Sequence, residues 1–262
     1  MTKDQEFVGL RDFRELAASF GAVAAAYDRG RPGYPEELFD ELERLWGREL
    51  KGARVLDVGA GTGIATRLLA ARGADVVAVE PSAGMAAQFQ AVSPHLPVVR
   101  GGGDDLPFHD GSADLVTYAQ AFHWTHPEKS VPEVVRVLRP GGAVAAWWNV
   151  FDETVPWVRA RGERLSAALS GRYHGYQGVA GLIAPAADAG LEVSRTKLRW
   201  QRQVPVDQVV DNLTSRSYFA SLAPEQREPL LATERAALLA EFPDGQVVEP
   251  YVVDLTVAVK RG

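Results

Sequence analysis

The stretch Val55-Leu-Asp-Val-Gly59-Ala-Gly61-Thr-Gly63-Ile-Ala-Thr66 decides the fold. An apolar run enters a turn with glycine at alternate positions, and a helical pattern follows directly. Glycine lets the backbone turn sharply and lets a ligand approach bare amides at a helix N-terminus. Glu80 closes the next apolar run, seventeen residues after Gly63. That is close to the ~20-residue spacing at which an acid reaches a ribose hydroxyl in an open α/β sheet. A dinucleotide loop would read G-x-G-x-x-G, and the place of its third glycine is held by Ile64. Asp57 lies two residues before Gly59, where a pyrophosphate would sit. A carboxylate repels phosphate and attracts a cation. The loop also lacks the Gly-Lys-Ser/Thr ending of a P-loop. It asks for a ribose-bearing ligand with positive charge and no phosphate.

Outward from this loop, short apolar runs alternate with helical spacing. The runs are Arg54 to Val58, Asp75 to Val79, Val98 to Val99, Asp114 to Ala119 and Ala143 to Trp148. Between them, Ile64 to Arg72, Ala83 to Ala91 and Ser130 to Leu138 carry helical periodicity. Nearly continuous apolar runs suit strands covered on both faces, and β–α alternation predicts a parallel sheet. Two later segments, Leu191 to Val204 and Tyr251 to Lys260, alternate as strands. Val155 to Leu169 and Val206 to Phe242, broken at Ala223-Pro224, read as helices. So do residues 13–23 and the segment that begins near Pro35.

No linker or repeat divides the 262 residues. One elaborated domain is expected, with a core at 52–149, completing strands at 191–204 and 247–261, and cap elements at 1–50, 150–190 and 205–246. Composition narrows the class. No apolar run reaches the ~18 residues of a membrane span, and the first residues lack the apolar core of a secretory signal. A soluble cytoplasmic protein is expected. A net charge of −6 argues against a broad phosphate-binding face, so no nucleic-acid partner is expected. The basic run Arg195 to Arg202 reads as the solvated face of a late strand. Zero cysteine removes disulfides, thiolate metal sites and cysteine nucleophiles, and five scattered histidines make a structural metal unexpected.

S-adenosylmethionine, with ammonium, sulfonium and ribose, fits the ligand that the glycine loop asks for. Further motifs agree: Val79-Glu-Pro-Ser82 with Met85, Asp104-Asp-Leu-Pro-Phe108, Gly111-Ser-Ala-Asp-Leu-Val116 and Leu138-Arg-Pro-Gly-Gly142. With the glycine loop, they make residues 52–149 resemble the seven-stranded S-adenosylmethionine-dependent methyltransferases. Ala119-Gln-Ala-Phe-His-Trp124, Tyr27 to Pro35 and Ser215 to Tyr218 resemble the small-molecule branch that includes trans-aconitate methyltransferase-like proteins. The resemblance implies a Rossmann-like, doubly wound, seven-stranded and mostly parallel α/β sheet with an antiparallel C-terminal strand and a helical cap.

The resemblance also assigns roles. Glu80 would hold the ribose hydroxyls, and Gly59, Gly61 and Gly63 would frame the amino-acid part of the cofactor. Asp57 would orient the loop and the ammonium. Gly103 and Asp104 would lie at the adenine edge, with Asp105 as rival to Asp104. Gln120 would line the pocket at the end of the fourth strand. Tyr27 and Arg31 would fold over the site, Arg31 as partner for the cofactor carboxylate. His123 is the candidate general base, since an ordinary imidazole titrates near neutrality; the other reading makes it a pocket wall with Trp124. Tyr218 is a second catalytic candidate or a packing aromatic. Trp124, Trp148 and Tyr176 are candidates to contact the acceptor, a small molecule methylated at O, N or C. Two alternatives stand: a cofactor-binding protein of this fold without methyl transfer, such as a cyclase, and an NAD-dependent oxidoreductase, which Asp57 and Ile64 disfavour. Oligomeric state is not readable.

Overall fold

A computed structural model describes residue 28, residues 30–169, 184–214 and 219, and residues 222–261. The expectations for residues 13–23 and for Tyr27, Tyr176 and Tyr218 lie outside the described residues. The element order is α1 (Glu36–Trp46), β1 (Arg54–Val58), α2 (Ile64–Ala71), β2 (Asp75–Val79), α3 (Ala83–Val92) and β3 (Val98–Val99). Then come β4 (Ala113–Ala119), a single 3₁₀ turn (Phe122–Trp124), α4 (Pro127–Val137), β5 (Leu138–Phe151) and α5 (Pro156–Ala168). The chain closes with α6 (Ala184–Asp188), β6 (Leu191–Pro205), α7 (Val206–Thr214), α8 (Pro224–Glu241) and β7 (Gln246–Lys260).

The strands form one seven-stranded sheet in the order β3-β2-β1-β4-β5-β7-β6. β1 to β5 pair in parallel, and β7 runs antiparallel to both β5 and β6. Chain order reverses between β1 and β4, and that reversal opens a crevice at the carboxyl ends of these strands.

Alternation along each strand feeds two cores. On one face, Leu56, Val116, Val144 and Trp148 pack with Val131, Val134 and Val137 of α4. On the other, Val55, Leu115, Ala145 and Trp147 pack with Leu38, Phe39, Leu42 and Trp46 of α1. The adjacent Trp147 and Trp148 therefore enter opposite cores, and both are fully buried. The expectation that one of them contacts the acceptor is corrected, since Trp148 offers no accessible surface.

Two strands exceed their apolar runs. β5 continues to Phe151 and β7 begins at Gln246, because the antiparallel ladder pairs Phe151 with Tyr251 and the β6–β7 ladder reaches Pro205 and Gln246. The basic run of β6 is matched by acids on neighbouring strands: Lys197 faces Asp254 at 3.7 Å and Arg202 meets Glu249 at 2.7 Å. Arg199 reaches Asp152, just beyond β5, at 3.0 Å. No helix among the described residues is long and apolar enough to cross a membrane.

Candidate active site

The glycine loop is built where β1 ends. The Gly59 and Ala60 amides donate to the Val79 carbonyl at 2.8 and 3.2 Å, hooking the turn onto the end of β2. Gly59, Gly61 and Gly63 have φ of +71°, +58° and +86°, a region that residues with a Cβ rarely enter. A Cβ on Gly59 would stand 2.5 Å from Ala121 Cβ, and one on Gly63 would stand 2.5 Å from the Phe89 ring. At Gly61 nothing among the described residues lies within 4 Å of that position, so the backbone there borders open space among them.

Glu80 is anchored beside that space. Its Oε2 accepts from the Gly61 amide at 2.8 Å and its Oε1 from the Ser82 amide at 2.7 Å. A carboxylate has about four lone-pair positions, so each oxygen keeps acceptor capacity. Burial raises the Glu80 pKa, while the two amides pull it back down.

Asp57 is fully buried. Thr66 Oγ1 on α2 donates to it at 2.6 Å and Thr117 Oγ1 on β4 donates to the other oxygen at 2.8 Å. Desolvation pushes its pKa up to about 6 against those two hydrogen bonds. The role expected for Asp57 is therefore corrected in part: it ties the loop to α2 and β4, and it has no accessible surface to offer an ammonium.

A strap from Asp28 to Pro35 crosses this end of the sheet. Asp28 accepts from Thr62 Oγ1 at 2.7 Å and from Arg67 at 2.9 Å, which fastens the strap to the glycine loop. Asn149 donates to the Gly33 carbonyl and Arg202 to the Gly30 carbonyl, each at 3.4 Å, which fastens it to β5 and β6. Tyr34 meets the edge of Trp147 with centroids 5.7 Å apart. Arg31 sits half-buried within the strap.

Gly103 packs tightly, since a Cβ there would lie 2.8 Å from Thr125 Cγ2 and 3.1 Å from the Tyr118 hydroxyl. That hydroxyl is buried without a hydrogen-bond partner, and desolvation raises its pKa. Asp104 accepts from the His126 amide at 2.9 Å and pairs with His126 Nδ1 at 2.5 Å. Its expected place at the adenine edge is thus shared with a clamp on the N-terminus of α4, while Asp105 is exposed. Among the described residues no cluster of His, Asp or Glu is arranged to hold a metal.

The segment expected at the reaction end follows β4. Gln120 has φ of +55°, the only residue other than glycine in the left-handed region among the described residues. Its amide is held by the Trp147 carbonyl at 2.8 Å. Strain of this kind persists only where surrounding structure enforces it, commonly at ligand sites. His123 follows in the 3₁₀ turn, with the exposed Trp124 ring 4.5 Å away by centroid. Trp148 Nε1 donates to His123 Nδ1 at 3.3 Å. Burial pushes the His123 pKa down to about 4. The expectation of a general base at His123 is corrected: one ring nitrogen is occupied as an acceptor, and the imidazole has little basicity near neutral pH.

Sequence reasoning missed Asp28, Thr62, Thr66, Thr117 and Tyr118. Thr117 and Asp57 are sixty residues apart and meet only because β1 and β4 are neighbours. An orphaned hydroxyl beside a glycine likewise leaves no trace in a linear pattern.

Comparison with known proteins agrees with this geometry. A family described as a methyltransferase domain matches residues 56–146. An uncharacterised methyltransferase of Mycobacterium tuberculosis, Rv3342, is 38% identical over 230 residues, covering 88% of this chain and 89% of its own. A structure from Anaeromyxobacter dehalogenans, proposed to be a type II methyltransferase, aligns with a TM-score of 0.65 at 23% identity, covering 88% of this chain and 97% of that one. Phosphoethanolamine N-methyltransferase 2 of Haemonchus contortus, in complex with S-adenosyl-L-methionine, aligns with a TM-score of 0.58 at 17% identity, covering 99% of this chain and 62% of that one. The chain belongs to the seven-stranded methyltransferase family.

Proposed function

We propose that the chain binds S-adenosylmethionine across the glycine loop and Glu80 and transfers its methyl group to a small-molecule acceptor. The observation that carries this reading is the Glu80 carboxylate, oriented by the Gly61 and Ser82 amides beside the open space at Gly61. The acceptor positions left on its two oxygens suit a pair of ribose hydroxyls. The loop also offers a phosphate poor company. Arg67, the nearby cation on α2, is engaged by the Thr62 carbonyl and Asp28, and Asp57 lies behind the turn. A ligand with cationic ammonium and sulfonium groups meets no such penalty.

Bound S-adenosylmethionine supplies an electrophilic methyl group, and its sulfur leaves as a neutral thioether. The protein's part is alignment and exclusion of water. The Asp28–Pro35 strap covers one side, Glu80 fixes the ribose, and the strained end of β4 presents Gln120 to His123 towards the reacting atoms. Alignment of two reactants in a dry site supplies up to ~7 to 11 kcal/mol of barrier reduction. The small-molecule acceptor is supported by a relative, the demethylmenaquinone methyltransferase of Beutenbergia cavernae, 36% identical over 156 residues. Titration calorimetry with S-adenosylmethionine, S-adenosylhomocysteine and NAD tests the cofactor, and tight binding of the first two alone is expected. A pool of metabolites incubated with methyl-labelled S-adenosylmethionine then identifies the acceptor. Cofactor binding with no labelled product from any pool would instead favour a non-transferring role.

A further inference from the structure

Thr62 sits in the glycine loop between Gly61 and Gly63, the residue type least able to fix a backbone by itself. Two side chains, Arg67 and Asp28, close a triangle with it. The Arg67 guanidinium, in the first turn of α2, donates through Nη1 to the Thr62 carbonyl at 2.8 Å. Through Nη2 it donates to Asp28 Oδ1 at 2.9 Å. The Thr62 hydroxyl donates to the same Asp28 oxygen at 2.7 Å. A guanidinium is planar, so it holds its two acceptors at a fixed separation. Nη1 also reaches Ser93 Oγ at 3.4 Å, at the end of α3, and Ser93 is buried. The fork is thus braced from behind. Thr62 is buried as well, which makes an unpaired carbonyl or hydroxyl there costly. One residue before Thr62, the Gly61 amide aims Glu80. The strap, the loop and the acid beside it lie on one hydrogen-bonded path.

We propose that Arg67 is a positioning residue for the cofactor: with Asp28 it clamps Thr62, and the clamp holds the Gly61 amide against Glu80. Docking of the strap and aim of the ribose acid are then a single event. The inference rests on the methyl-transfer reading above, in which Glu80 holds the ribose hydroxyls. Loss of the clamp frees the turn at two left-handed glycines. The Glu80 carboxyl group then keeps the Ser82 amide as its one backbone donor among the described residues. Held at one oxygen, it no longer presents two fixed acceptors to a pair of hydroxyls. Charge alone does not fill this role. A lysine in place of Arg67 carries its charge on a single nitrogen and cannot hold a carbonyl and a carboxylate at a fixed separation.

Hydrogen exchange followed by nitrogen-15 NMR tests the clamp without any ligand. The Gly61 amide should exchange about tenfold or more faster in Arg67→Gln and Arg67→Lys than in the parent, while amides of β1 and β4 keep their protection. Calorimetry tests the consequence with 5′-methylthioadenosine and its 2′,3′-dideoxy analogue, which differ only in the ribose hydroxyls. The parent should prefer the first by about tenfold or more, the worth of hydrogen bonds to a charged group. Arg67→Gln should lose most of that preference. An Arg67 that served only stability would weaken both ligands alike and leave their ratio unchanged. Thr62→Val, which removes the hydroxyl at nearly constant shape, should act in the same direction, and it carries the test if Arg67→Gln does not fold. Unchanged Gly61 protection, a rise in exchange shared by the whole sheet or a retained ligand preference would overturn the proposal. A parent without any preference overturns the ribose role of Glu80 itself, and the Gly61 exchange then decides the clamp alone.

Discussion

At the scale of single residues, the site is a set of carboxylates in different environments. Burial raises the Glu80 pKa, and the two backbone amides that donate to it offset part of that rise and aim the carboxyl group. Glu80→Gln replaces one charged acceptor by an amide donor. Affinity for S-adenosylmethionine should fall ~10- to 100-fold, as for loss of a hydrogen bond to a charged group; unchanged calorimetric affinity would remove Glu80 from the ribose. Asp57 is buried more deeply, and desolvation outweighs its two threonine donors and raises its pKa to about 6. The folded state therefore binds a proton more tightly than the unfolded chain. Asp57 supports the fold fully below the ordinary aspartate range, near pH 4, and this support is lost as pH rises through about 6. The difference amounts to roughly 3 kcal/mol. Asp57→Asn removes the titration, so its stability relative to the parent should climb between pH 4 and pH 7 in urea unfolding. A difference flat across that range would show that Asp57 does not titrate there.

At the scale of elements, the glycine turn works by geometry rather than by side-chain chemistry. Gly63 starts α2 at φ +86° with the Phe89 ring against the missing Cβ. Gly63→Ala combines a left-handed backbone with that collision. It should cost about 1–3 kcal/mol from the backbone alone, with more from the overlap, and thermal unfolding would register it. The strap gives a second element-scale expectation. Its hydrogen bonds to β5 and β6 among the described residues are long and sit beside the Tyr34–Trp147 ring contact, whereas those to the loop are the short Asp28–Thr62–Arg67 set. Asp28→Ala should therefore weaken cofactor binding more than Asn149→Ala does, with both proteins folded by circular dichroism. Equal affinities would detach the strap from the cofactor site.

At the scale of the whole molecule, the β5-β7-β6 half is joined to the strap through buried charge. Arg202 pairs with the fully buried Glu249, which also accepts from the Tyr251 hydroxyl at 3.0 Å. Removing one member strands the other in a low-dielectric site. Arg202→Met should cost about 3–5 kcal/mol, and adding Glu249→Gln should recover part of it. Additive losses in the double-mutant cycle would show that the two groups do not interact.

The sequence by itself determined the parallel α/β core. Strand runs bounded by glycines need only local apolar pattern, and β1, β2 and β3 fall on the residues that the pattern marks. The glycine loop and Glu80 were legible for the same reason, because turn chemistry and strand ends are local properties of the chain. Only the tertiary structure decided that Asp57 faces two threonines, that Asp104 clamps His126, and that a buried tryptophan occupies the nitrogen on which a general base at His123 would depend. Those facts depend on which strands become neighbours and on how water is excluded between them. Neither is written in the spacing of residues along one segment, because burial and hydrogen-bond partners are fixed only when distant segments meet.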